Sequence, residues 1–310
     1  MRENIPVIRL RTDTGVLVAR DGVVICFFMR HFHRDIAPAV WRALQAYLRA
    51  IPPRSLNWYG SEDGDTLPLD DKGWEHIRWK ILERPWGGAW HVDLEEDASE
   101  VGGYHFEYVG RKLDDPLVAD NEGATSAVSF TFPTEYLLER GPAHLRELAL
   151  ELARELPFSF GYASLAFVSP HGLWFSARRE LLGPLWRYLG LDLYHLNETS
   201  WVIGTRARGA YWLTFLGQPL LGQLGGREGL RDKLRFPQVS LQPLEAERLL
   251  ITLGEWPEVI DTGNSTPLVP QYRALAHLLE PFLYEERSGW FTLFGLDKDD
   301  TRHWLRRLCQ

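Results

Sequence analysis

Apolar positions recur along this chain with two different periods, and the switches between them outline its elements. Near the amino terminus Val16 and Val18 open one apolar run, Arg20-Asp21-Gly22 has the composition of a tight turn, and Val23 to Phe28 is apolar throughout. This pattern predicts a hairpin whose second strand is the more buried. From Asp35, a suitable N-cap, the positions Val40, Trp41, Leu44, Tyr47, Leu48 and Ile51 fall on one face of a helix that Pro52-Pro53 ends. A polar loop follows from Gly60 to Asp65.

Further on, Tyr104, Phe106 and Tyr108 alternate with His105 and Glu107, and Val128, Phe130 and Phe132 alternate with Ser129 and Thr131, the period of strands. After Gly141-Pro142 the period lengthens. Leu145, Leu148, Ala149, Leu152 and Leu156 form a helical stripe closed by Pro157; a strand through Leu165 to Val168 and a helix through Leu181, Leu182, Leu185, Trp186 and Leu189 come next. Without a strict strand-helix alternation, the order predicts an α+β fold, a mostly antiparallel or mixed sheet with helices packed on one face. Thr131-Phe132, Leu137-Leu138 and Leu145-Arg146 recur as Thr214-Phe215, Leu220-Leu221 and Leu230-Arg231, which suggests two related strand-helix units, although any strand followed by an amphipathic helix gives such matches. A single domain over residues 1–310 is expected, with a weak subdivision near 190–208.

Composition narrows the class. At 310 residues, 45% apolar and 13% aromatic, with thirteen tryptophans, the chain can bury a large core. Its two cysteines, Cys26 and Cys309, offer no disulfide framework and fit a reducing compartment. No signal-peptide pattern or long apolar run occurs, so a cytoplasmic protein without membrane contact is expected. A net charge of -8 argues against direct nucleic-acid binding and suits a basic protein partner.

Several groupings have the residue types of a catalytic or metal site. His31 and His33, with Asp35, have a spacing that would bind zinc from one side of a strand, but no third ligand is evident, and surface or structural histidines fit as well. His91 with Asp93, and His105 with Glu107, would share strand faces and could build a hydrolytic or metal site; solvated cross-strand pairs have the same look. Gly225-Gly226-Arg227-Glu228-Gly229 lacks a phosphate loop's context and reads as a helix C-cap. Asp261-Thr262-Gly263 has the triplet of aspartic proteases in a single copy, where that chemistry needs two carboxylates. No G-x-S-x-G, P-loop or H-E-x-x-H motif is present. The acidic runs remain: Glu62, Asp63 and Asp65; Asp93, Glu95, Glu96, Asp97 and Glu100; Asp114 and Asp115; Asp297, Asp299 and Asp300. Each reads as a solvated loop or as a surface opposing a cationic partner.

The segment RLLITLGEWPEVIDTGNSTPLVPQYRALAHLLEPF, from Arg248 to Phe282, follows a strand, turn, loop and helix order with no catalytic motif. Together with Gly102 to Asp115, Ser126 to Phe167 and Gly209 to Gly226, it resembles the type VI secretion immunity-protein family over most of the chain beyond about residue 85. The resemblance implies a stoichiometric binder, with no catalytic activity, cofactor or metal, that neutralises a cognate antibacterial effector, a nuclease in related members. Asp93, Glu95, Glu96, Asp97, Glu100, Asp114, Asp115 and Trp90 are the candidate partner-binding residues, with Trp58, Trp86 and Trp256 as further anchors. The alternatives are a hydrolytic or metal-dependent enzyme using the His and carboxylate pairs, and a secretion-associated assembly module. Oligomeric state, inhibitory face and mode of inhibition stay open.

Overall fold

The computed structural model describes residues 5–85, 89–116, 118–169, 174–193, 195–264, 269–285 and 298–309. Its elements begin with β1 (Arg9–Arg11), β2 (Leu17–Met29), α1 (His33–Ala50), β3 (Trp58–Gly60), β4 (Thr66–Pro68), α2 (Asp71–Leu82), β5 (Ala89–Glu95), β6 (His105–Arg111) and β7 (Ser126–Pro133). They continue with α3 (Thr134–Arg140), α4 (Pro142–Ala153), β8 (Phe160–Val168), α5 (Trp174–Arg187), β9 (Asp192–Leu193), α6 (Leu196–Ser200) and β10 (Leu213–Leu216). The last are α7 (Leu220–Gln223), α8 (Gly226–Lys233), β11 (Ser240–Leu244), β12 (Arg248–Thr252), α9 (Pro270–Leu279) and α10 (Lys298–Leu305).

The described strands form one sheet in the order β11-β12-β10-β8-β2-β7-β6-β5-β3-β4, with β1 pairing β2 and β9 pairing β8. All these pairs are antiparallel except β8 with β9. The α+β expectation holds. Helices, however, cover both faces of the sheet. On one face the Tyr47 ring of α1 lies 5.4 Å from Phe130 and 5.1 Å from Phe132. On the other, the Arg111 guanidinium of β6 donates to the Ser200 hydroxyl of α6 at 2.6 Å. Strands β6, β7 and β8 are buried along their whole length, so both of their faces need cover.

The amino-terminal hairpin does not form where the pattern placed it. β2 runs unbroken through Arg20-Asp21-Gly22 between β7 and β8. Gly22 serves close packing there: a Cβ would lie 2.6 Å from Val168 Cγ2 and 2.9 Å from the Phe132 carbonyl oxygen. Asp21 faces β1, accepting from the Ile8 amide at 2.6 Å and pairing with Arg9. An Asp-Gly pair outside a turn is explained by these two neighbours.

The repeated tripartite pattern falls on β7-α3-α4 and β10-α7-α8, two strand-helix-helix segments. β7 flanks β2 and β10 flanks β8, so the two segments lie on either side of the central β2-β8 pair. Helix α1 begins at His33, two residues before the expected cap, with Asp35 in the first turn where its charge complements the helix dipole. Helix α2 and the β3-β4 hairpin, which the apolar pattern did not reveal, complete the sheet's outer end; Asp70 caps α2 by accepting from the Gly73 amide at 2.9 Å.

Candidate functional site

Alternation along β5 puts His91, Asp93 and Glu95 on one face of the sheet. Their antiparallel partners on β6 are Val109, Glu107 and His105, which share that face. His105 Nε2 is hydrogen-bonded to the Asp93 carboxylate, and His91 Nε2 lies 3.3 Å from Glu107 Oε1. The ligand-capable atoms of Asp93, Glu95 and His105 all lie within 4.8 Å of one another. Three carboxylates and two imidazoles therefore converge on one patch of the sheet.

Charge on this patch is finely balanced. Burial first, and the Asp93 carboxylate second, push Glu95 up to about 7. Burial opposes the charge of His105, yet Asp93, Glu107 and Glu95 outweigh it and hold the imidazole up at about 9. His91 is likewise held above its ordinary value, against burial, by its bond to Glu107. Burial lowers Lys80, which faces the same space from α2.

That space is a polar cavity of about 500 Å³, lined by Gly60, Ser61, Glu62, Gly64, Asp65, Thr66, Lys80, Arg84, His91, Asp93 and Glu95. The β3-β4 loop supplies one wall, with Glu62 paired to Arg84. A run of rings leads away from it: Tyr59 lies 5.6 Å from His76, which lies 5.8 Å from Trp79. Trp79 is 40% exposed and Leu67 of β4 39%, both unusual for large apolar side chains. Arg84 also lines a smaller cavity of about 230 Å³, together with Phe32, His33, Arg34, Trp90, Arg111, Lys112 and Asp114. In it His33 stacks on Trp90 with ring centroids 4.1 Å apart and shares a 2.8 Å hydrogen bond with the Tyr108 hydroxyl. Gly110 makes room, since a Cβ would lie 2.5 Å from His33 Nδ1.

Residues 39–308 match the TsiV family, described as type VI immunity for VRR-NUC. The chain belongs to the TsiV family. Its function is type VI immunity, the neutralisation of a cognate effector, and the hydrolase alternative is not favoured. No curated protein matches the chain. Among solved structures, the Pseudomonas aeruginosa T6SS protein PA0821 is similar at 20% identity with a TM-score of 0.77, over 98% of this chain and 88% of that one, which shows a shared fold.

Within this TsiV chain the acidic run from 93 to 100 is divided among different tasks. Asp93 and Glu95 line the large cavity. Glu96 turns inward, accepting from the Gly103 and Tyr104 amides at 2.6 and 3.2 Å. Asp97 accepts from the Ser99 and Glu100 amides, which lower its pKa and lock the loop. Glu100 accepts from the Leu17 amide at 3.4 Å. Asp114 lies 3.5 Å from Lys112, Asp115 is buried in the following turn, and Trp90 is only 5% exposed. Trp58 and Trp256 are half-buried; Trp86 and Asp297 lie outside the described residues.

His31 and His33 do not converge as the strand spacing implied. β2 has ended at Met29, so His31 is exposed while His33 is turned inward by α1. Asp261 is held by Arg187 through bonds of 2.9 and 3.1 Å, which lower its pKa, and it makes an ordinary ion pair. Gly225 follows α7 in the left-handed region at φ 88°, as a helix terminus favours.

A second charged cluster in the TsiV fold lies in the carboxyl-terminal half and was not anticipated. Asp192 of β9 accepts from Tyr162 at 2.6 Å and Tyr211 at 3.0 Å and lies 3.4 Å from Arg208. Arg208 also donates to Thr199 at 2.9 Å, to Tyr284 at 3.0 Å and to the Leu193 carbonyl. Arg307, beyond α10, stacks 3.8 Å over Trp304 and donates to the Leu189 carbonyl at 2.9 Å. Asp192 and Arg208 are fully buried.

Proposed function

We propose that this TsiV chain acts by binding alone, without catalysing a reaction, and grips a basic surface of its effector with the β3-β4 end of the sheet. The observation that carries the reading is the pairing of an acidic cavity mouth, Glu62 and Asp65, with exposed Trp79 and Leu67 beside it. Tight interfaces draw their affinity from a few desolvated aromatic anchors, while surrounding charge selects and accelerates encounter. Asp93, Glu95, Glu96, Asp97 and Glu100 contribute to the negative field behind that rim, with Asp114 and Asp115 nearer the smaller cavity. A cationic region on a nuclease, which must hold a phosphate backbone, is the complement of such a field. Contact with nucleic acid itself plays no part, and the action belongs in the cytoplasm, where a nuclease meets its substrate.

The test is affinity for the cognate effector in a purified pair. Trp79→Ala is expected to weaken binding by about 2 kcal/mol, roughly 30-fold, because an exposed aromatic anchor is lost without disturbing the core. Unchanged affinity for both Trp79→Ala and a Glu62→Lys/Asp65→Lys double variant would place the effector on another face.

A further inference from the structure

Among the described residues, donor atoms gather closely enough to share one ion at two places: Asp93, Glu95 and His105 on the sheet, and His277, Glu280 and Cys309 near the carboxyl end. The second is exposed at His277 and has the Arg306 guanidinium 3.7 Å from Glu280, a cation already beside the only carboxylate. The first differs in its burial and in how its donors are held. Its donors come from neighbouring strands in direct register, Glu95 opposite His105, so the backbone holds them rigidly. Asp93 and His105 are buried, and Glu95 opens onto a cavity of about 500 Å³ that admits a hydrated ion.

We propose that Asp93, Glu95 and His105 form a binding site for a divalent transition-metal cation of the zinc type, entered through this cavity. The donor set is one imidazole and two carboxylates, a combination that zinc accepts at bond lengths of about 2.0–2.2 Å, leaving a further position for water. A coordination sphere of that radius is about 4 Å across. Donors already within 4.8 Å of one another reach it by side-chain rotation, with no movement of the sheet. Behind them Glu107 is the direct cross-strand partner of Asp93 and is bonded to His91, a second layer of carboxylate and imidazole that steadies the first. The inference rests on these donors alone and stands whether or not the effector docks at the cavity mouth.

The experiment uses the full chain carrying Cys309→Ser, which silences the carboxyl-terminal group, titrated with Zn²⁺ by calorimetry and with Co²⁺ by absorption spectroscopy. One equivalent of Zn²⁺ is expected, and Co²⁺ is expected to give ligand-field bands without a thiolate charge-transfer band. Glu95→Gln, at a partly exposed position that leaves the fold intact by circular dichroism, is expected to weaken Zn²⁺ at least about tenfold; His105→Asn is expected to remove the site. Failure of the Cys309→Ser chain to take up Zn²⁺, or equal Zn²⁺ affinity in Glu95→Gln, overturns the proposal.

Discussion

The β5-β6 patch and the Asp192-Arg208 knot are both charged clusters on the same face of one sheet, and one row of residues joins them. Asp93 pairs across to Glu107, Glu107 to Ser129, Ser129 to Cys26, and Cys26 to Tyr162, whose hydroxyl donates to Asp192. At the Asp192 end, phenol hydroxyls and a guanidinium meet the carboxylate, and both charges are fully buried. At the Asp93 end, three carboxylates meet two imidazoles and Lys80, and a cavity opens beside them. A buried charge with its partners in place pins distant elements together; a cluster left partly open keeps charge available to something from outside. The same chemistry thus serves architecture in one half and, in the function proposed above, recognition in the other.

The sharpest way to break this contrast is to remove a partner at each end. Arg208→Met leaves Asp192 buried without its nearest cation and is expected to cost about 3–5 kcal/mol in urea unfolding, whereas Glu95→Gln is expected to stay within about 0.5 kcal/mol. Equal losses in the two variants would erase the distinction between a closed and an open cluster.

Next in size is the titration of His33, beside the smaller cavity. Burial first, then the Arg84 charge, lower its pKa from 6.5 to about 4, against a backbone hydrogen bond that raises it. The unfolded chain takes up this proton near 6.5 while the folded chain holds it off until about 4, so His33 stabilises the fold above that window and the contribution is lost as pH falls through it. A shift of this size corresponds to about 3 kcal/mol. The stability advantage of the wild type over His33→Phe is expected to narrow by that order between neutral pH and about 4; a gap constant with pH would show that His33 titrates normally.

The smallest effect concerns the cavity mouth. If Glu62 and Asp65 guide the effector, the association rate is expected to fall as salt rises, and Glu62→Lys is expected to flatten that dependence at a cost of about 1 kcal/mol or less, as for a rim charge. A salt-independent rate in the wild type would leave the acidic loop without a role in encounter.

Local pattern made much of the architecture readable. Phe106 and Tyr108, and Val128, Phe130 and Phe132, announced β6 and β7 because alternation is imposed by the strand itself, and Leu145, Leu148, Ala149 and Leu152 announced α4 for the same kind of reason. The pairing of His91 with Asp93, and of His105 with Glu107, on shared faces was also visible. Trp79 and Lys80 were not, because α2 carries charges among its apolar positions and shows its presence chiefly through the Asp70 cap. Asp21-Gly22 misled because its composition suits a turn, while the neighbours that require it, Ile8, Val168 and Phe132, are remote in sequence.

By itself the sequence determined which side chains of β5, β6 and β7 share a face, the α+β character and, through its family pattern, the immunity function. Only the tertiary structure decided that His105 opposes Glu95, that the acids from 93 to 100 divide between cavity and loop, and that Asp192 meets Arg208 while Arg307 closes over Trp304. Periodicity is a property of neighbours along the chain, whereas register and burial depend on strands brought together from distant parts of it. Whether a carboxylate is solvated, paired or left facing a cavity is fixed at that second step.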